Sequence, residues 1–233
     1  MSGAKPASKH EYFDFYTVAE NMSIAAGLPM PKLYVINDPA MNAFATGRDP
    51  KHAVVCATSG ILAKLNRTEL EGVIAHELSH VKNYDILVMS IVTVLVGTVV
   101  FVADWITRSL FWGGMRGGDD DEGGGGQLGM IVFIVFLVVT PLIATLIQLA
   151  VSRKREFLAD ASGALLNRNP DALADALEKI SADPRLLHTA SNATAHMFIE
   201  NPFNKKSKSF NRIAGLFSTH PPVEERIRLL REM

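Results

Sequence analysis

The chain has 233 residues, with 23 Lys and Arg against 24 Asp and Glu. That length suits one ordinary domain with additions, and the balanced charge gives a nucleic-acid partner no electrostatic footprint. A lone cysteine, Cys56, excludes a disulfide framework and a cysteine-built metal site.

Nothing in the first 60 residues reads as a signal peptide or an N-terminal membrane anchor. Residues 1–9 are polar and expected to be loose. From Glu11 to Gly27 the apolar spacing predicts an amphipathic helix with Gly27 at its C-cap. Lys32–Ile36 reads as a short strand ended by Asn37-Asp38-Pro39. Asn42–Gly47 is expected to be an extended edge segment, and Ala53–Ala57 the next strand. Thr58 or Ser59 then caps a short helix through Leu65.

The next helix carries the chemistry. Thr68-Glu69-Leu70-Glu71 reads as a capping box, and Leu70, Val73, Ile74, Leu78 and Val81 form an apolar stripe. Within it stands His76-Glu77-Leu78-Ser79-His80. Residues four apart share one helix face, so both imidazoles can reach one ion. Glu77 is turned about 100° from His76. It stands beside the ion, as a base toward water, and this is the zinc-protease signature His-Glu-x-x-His.

Beyond this helix the chain changes character. Ile86–Ala103 is 18 residues without a charge, extendable to Ile106 with Asp104 near an interface, and Leu128–Val151 is 24 more. A membrane span needs about 20 apolar residues, so the two read as a transmembrane hairpin with a lipid bilayer as partner. Between them lies a Gly-rich acidic loop at about 107–127 that holds Asp119, Asp120, Asp121 and Glu122. Lys82, Arg153, Lys154 and Arg155 flank the motif side, against Arg108 and Arg116 on the loop side. The positive-inside rule then puts the loop outside and the motif in the cytoplasm. Pro141 is expected to kink the second span, and Gln148 to face protein or headgroups rather than lipid.

A second cluster follows at once: Arg153-Lys154-Arg155-Glu156-Phe157-Leu158-Ala159-Asp160. Two histidines need a third protein ligand, and a carboxylate from a separate helix supplies one. Glu156 is the best placed, and Asp160 one turn on is expected to accept from the free ring N–H of His76 or His80. Pro170–Ile180 reads as a helix, and Ser181–Ser209 as an irregular, flap-like stretch with incidental His188 and His196. The chain closes on Ser218-Thr219-His220-Pro221-Pro222 and an amphipathic helix from Val223 to Leu230, with Arg226 and Arg228 expected to be exposed or ion-paired.

His76–His80, Glu156–Asp160 after a hydrophobic hairpin, Thr219-His220-Pro221-Pro222 and Asn42–Gly47 stand in an order that resembles the HtpX family of membrane zinc metalloproteases, over essentially the whole chain. More distantly the chain resembles the CAAX prenyl proteases. The resemblance implies a gluzincin fold: α+β and mainly helical, with a zincin-like domain, a small sheet and an inserted two-helix transmembrane hairpin. It divides the chain into 1–85, the hairpin at 86–151, and 152–233. It implies one zinc ion bound by His76, His80 and Glu156, with Glu77 catalytic. It implies a multi-pass protein of the bacterial inner membrane, facing the cytoplasm, that cuts misfolded or unassembled membrane proteins in quality control and stress response. Members of that family usually begin with two further spans; none precedes Ile86 here, so the chain is expected to be shortened or to start late.

For such a reaction an extended substrate would pair with the edge at Asn42, Ala43, Phe44 and Ala45. An oxyanion donor is also needed. His220 is the first candidate, with occupation of the fourth zinc position as its other role, and Arg212 and Arg226 are alternatives. Two other classes stay in view. One is a proteolytically inactive zinc-binding scaffold on the membrane, which a two-His, one-Glu site with an open position speaks against. The other is a transporter, for which the spans offer almost no polar pathway.

Overall fold

The structure is a computed structural model that describes residues 3–114, 125–183 and 220–233. Strand β1 (Lys5–Pro6) and helix α1 (Phe13–Ala26) lead into β2 (Lys32–Ile36) and β3 (Ala43–Thr46). A 3-10 turn and β4 (Val54–Thr58) follow, then α2 (Ser59–Lys64) and the motif helix α3 (Arg67–Lys82). Helices α4 (Asp85–Gly114), α5 (Gly125–Asn167), α6 (Pro170–Ala182) and α7 (Val223–Arg231) complete the described chain. The core of the acidic loop, the flap-like stretch beyond Asp183, His188, His196 and Arg212 lie outside the described residues.

The fold is mainly helical with one small mixed sheet. The strand order is β1-β2-β4-β3, with β2 parallel to β4 and β3 antiparallel to it, Ala43 opposite Ala57 and Thr46 opposite Val54. β3 is thus an edge, as expected of Asn42–Gly47. The buried strand residues Leu33, Val35, Val55 and Ala57 join Phe15 and Val18 of α1, Leu70, Val73 and Ile74 of α3, and Leu173 and Leu177 of α6 in one core. The motif helix runs through its centre, with Val73, Ile74 and Leu78 fully enclosed. Such complete burial fixes the rotation of α3 and hence the direction its histidines face.

Two sequence expectations need correction. The cap of α3 is Asn66, not Thr68. The Asn66 side chain accepts from Glu69 N at 2.9 Å and Glu69 Oε2 accepts from Asn66 N at 2.9 Å, a reciprocal capping box two residues earlier. And residues 1–9, expected to be loose, contain β1, with Lys5 and Pro6 opposite Val35 and Tyr34 of β2, a pairing that the local sequence does not signal. Arg226, expected to be exposed or ion-paired, is ion-paired and 1% exposed, because it turns inward beneath α5.

Helix α4 is long and apolar enough to cross a membrane over Asp85–Ile106, with mean hydropathy 2.8 and 6% of its apolar window buried. Leu87, Ile91, Val94, Leu95, Val99, Phe101 and Trp105 all face outward. Water penalises such a stripe at roughly 25 cal/mol for each Å² of apolar surface, whereas lipid does not. Among the described residues it is the one helix that meets this test. α4 packs along α5, and Gln148 of α5 donates to Thr93 Oγ1 of α4 at 3.0 Å, so this polar group is satisfied between the helices. α5 contains Pro141 and continues unbroken past residue 151 into the segment that carries Glu156.

Candidate metal centre

The site forms where three elements cross. α3 brings His76, Glu77 and His80, α5 brings Glu156 and Asp160, and α7 brings Arg226, with His220 just before it. α3 and α5 approach closely at Gly163, where a Cβ would stand 3.0 Å from His76 N. A larger residue there would push the two halves of the site apart.

His76 and His80 meet with their rings at 85° and their Nε2 atoms 3.1 Å apart. Glu156 Oε2 lies 3.8 Å from His76 Nε2, and Glu156 Oε1 3.5 Å from His80 Nε2. Each residue offers a ligand atom within 4.8 Å of the other two. Ligands at about 2.1 Å from a tetrahedral ion stand about 3.4 Å from one another, so the three fit around one cation. Glu156 Oε2 is buried and makes no hydrogen bond among the described residues, as suits an oxygen meant for a metal.

Each imidazole has a carboxylate behind it. Asp160 Oδ1 is 2.9 Å from His76 Nδ1, in ion-pair range but off the line of a straight hydrogen bond. Asp85 Oδ2 is 2.7 Å from His80 Nδ1. A carboxylate on Nδ1 holds the proton there and leaves the Nε2 lone pair toward the ion. Of the two histidines offered for Asp160 by its spacing, the geometry gives it His76. Asp85 escaped the sequence reading; the only signal available was its place as the first charged residue beyond the motif helix.

Arg226 supports this arrangement from below. Its Nε and one terminal nitrogen donate to Asp160 at 2.8 and 2.6 Å, a bidentate fork. Its other terminal nitrogen is 3.4 Å from Glu156 Oε2. Burial pushes the Asp160 carboxyl upward, yet Arg226 and His76 outweigh it and bring it down to about 2. Burial likewise opposes the Glu156 carboxylate, which His220, Arg226 and His80 hold well below the usual range. Glu77 goes the other way. It is 4% exposed, and burial raises its carboxyl against the pull of His76 and His80. Its Oε2 accepts from Ala45 N of β3 at 2.7 Å.

The remaining sequence candidates sort by position. His220 Nδ1 is 3.3 Å from Glu156 Oε2 with the ring mostly buried, so it belongs to the cluster. Arg226 is spent on Asp160 and Glu156 and is closed to solvent. Asn42 and Ala43 are buried, while Phe44 and Ala45 are partly exposed. The arrangement joins a three-ligand cation site to a buried carboxylate and the edge strand of the sheet among the described residues, which is what metal-assisted hydrolysis of an extended chain requires.

The model for Peptidase family M48 matches residues 13–233. A Protease HtpX homolog from Caldanaerobacter subterraneus subsp. tengcongensis is 46% identical over 234 residues, covering 99% of this chain and 75% of that one. Another from Tropheryma whipplei is 50% identical over 233 residues, covering 100% and 77%. The crystal structure of S. mikatae Ste24p has the same fold, with a TM-score of 0.64 at 19% identity over 97% of this chain. The chain spans about half of that protein, 51%. The family match and the end-to-end relatives agree with the geometry: the chain belongs to peptidase family M48 and is a membrane-bound metalloprotease.

Proposed function

We propose that the chain is a zinc-dependent endopeptidase that cuts misfolded or unassembled membrane proteins at the cytoplasmic face of a bacterial inner membrane. The observation that carries this reading is the convergence of His76, His80 and Glu156 beside buried Glu77. In it, α4 and the apolar part of α5 form a transmembrane hairpin, and the basic residues at its foot keep the site in the cytoplasm.

His76, His80 and Glu156 would hold one zinc ion. Zinc, when bound, supplies Lewis acidity, which brings the pKa of water to about 7. Glu77 takes the proton of the attacking water. With Oε2 fixed by Ala45 N, Oε1 is the accepting oxygen. Its burial-raised pKa suits it to return that proton to the departing amine. His220 donates to the oxyanion. The substrate lies extended on β3. Ala45 N–H turns from β4 to Glu77, so by the strand's period of two, the other outward backbone groups of Ala43 and Ala45 face away from β4, at the edge of the described sheet. Backbone pairing favours unfolded segments and demands little of their sequence.

A proteolytically inactive scaffold is not favoured, since a purely structural metal site has no use for Glu77 buried beside it. The test is to purify the full chain in detergent and measure bound zinc by elemental analysis. One equivalent is expected in the wild type and well under half in Glu156→Ala, with chelator abolishing cleavage of an unfolded protein. Full zinc occupancy in Glu156→Ala would remove that residue from the site.

A further inference from the structure

We propose that Asp85 and Arg155 form a latch that positions the His80 imidazole, so that the membrane-proximal ends of α4 and α5 set how tightly the site holds its metal. The proposal rests on the reading of His76, His80 and Glu156 as ligands.

The latch exists because the chain breaks where it does. Asp85 is five residues beyond His80. On an unbroken helix, at about 100° per residue, it would stand roughly 140° away around the axis and could not meet the ring. Instead α3 ends at Lys82, and Tyr84 takes the left-handed conformation with φ 55°. A non-glycine residue rarely adopts this conformation. The reversal starts α4 at Asp85 and carries its Oδ2 back to His80 Nδ1 at 2.7 Å.

Asp85 is itself held. It is 5% exposed, and its Oδ1 pairs with Arg155 of α5. Arg155 also donates to Asn83 C=O, the capping residue of α3, at 2.9 Å. One guanidinium therefore ties down both the broken end of the motif helix and the carboxylate behind His80. Arg155 directly precedes Glu156, so it moves with the third ligand. The two histidines are thus oriented from different places. His76 depends on Asp160 and Arg226 within the domain core, and His80 on Asp85 and Arg155 at the foot of the two long apolar helices. If those feet separate, His80 loses its orienting partner while His76 keeps its own.

The test is a double-mutant cycle on the full chain in detergent micelles, read by zinc affinity in competition with a chromophoric chelator and by the visible absorption of the cobalt-loaded protein. Asp85→Asn is expected to weaken zinc binding about 10- to 100-fold and to alter the cobalt spectrum. Arg155→Met is expected to weaken it several-fold in the wild-type background and not at all in the Asp85→Asn background, since it acts through Asp85. Wild-type affinity and spectrum in Asp85→Asn, or equal and additive losses in the cycle, would overturn the latch. Should Asp85→Asn fail to fold, Arg155→Met alone decides, an unchanged affinity and spectrum overturning the proposal. A wild-type chain that binds no zinc, or a His80→Ala chain that binds it normally, overturns instead the ligand reading beneath it.

Discussion

Arg226 is among the largest side chains that the fold encloses completely, and its worth lies in what it does for Asp160. Breaking a buried pair by removing one partner costs about 3–5 kcal/mol, because the other charge is left stranded. Arg226→Met is therefore expected to lower stability by that order in chemical denaturation of the solubilised chain. Arg226→Lys, which keeps the charge but loses the fork, should fall between. The pH dependence follows from the depressed Asp160. Its carboxyl titrates near 2 in the fold against about 3.9 unfolded. Its contribution is present in full above the unfolded value and disappears as pH falls through 4 toward 2. The stability gap between wild type and Asp160→Asn should close over that window and stay constant above it. At this scale the sequence was most legible where chemistry restricts residue type. His76, Glu77, His80, Glu156 and Asp160 announce themselves by spacing and meet in one cluster. Arg226 and Asp85 did not, since each gains its role from a distant partner. Arg226 finds Asp160 across 66 positions of sequence, and Asp85 needs a helix break that no composition signals.

Among the elements, α3 decides how well the site is held. Its rear face touches α6 so closely that a Cβ on Gly72 would stand 2.6 Å from Leu173 N. Backbone cannot yield as a side-chain tip can, so Gly72→Ala should cost about 1–3 kcal/mol by overpacking, seen as a lower melting temperature. The opposite result, a gain of the kind alanine brings to an ordinary helix, would mean that α6 stands further off. Strands β2, β3 and β4, helix α1 and helices α6 and α7 were legible to within a residue or two, because their apolar periods and punctuation agree with their burial; β1 was not, because Lys5 and Pro6 gain their strand by pairing with Val35 and Tyr34 of β2. The start of α3 was not, for a physical reason. Both Asn66-Arg67-Thr68-Glu69 and Thr68-Glu69-Leu70-Glu71 fit the capping pattern. The choice falls to Glu69, which is buried and bound to Lys179 of α6, a tertiary contact invisible in local sequence.

For the whole molecule, the two long apolar helices interrupt the candidate metal site rather than hang from it. α3 gives way to α4 one short turn after His80, and α5 runs as one helix from Gly125 into the segment bearing Glu156 and Asp160. A hydrophobic insertion was plain from composition. That its two feet close against each other through Asp85 and Arg155, beside the candidate ligand His80, required coordinates. Under the proposed function this cluster hydrolyses peptide bonds, with the three ligands holding the ion and Glu77 moving the proton. The measurement that reaches this claim most directly is cleavage of an unfolded protein by Glu77→Gln in detergent, with bound zinc counted in the same sample. Glutamine keeps the shape but accepts no proton, so zinc should stay at the wild-type level while the rate falls about 10²- to 10⁴-fold. A Glu77→Gln chain that retains its zinc and cleaves at the wild-type rate would contradict the account.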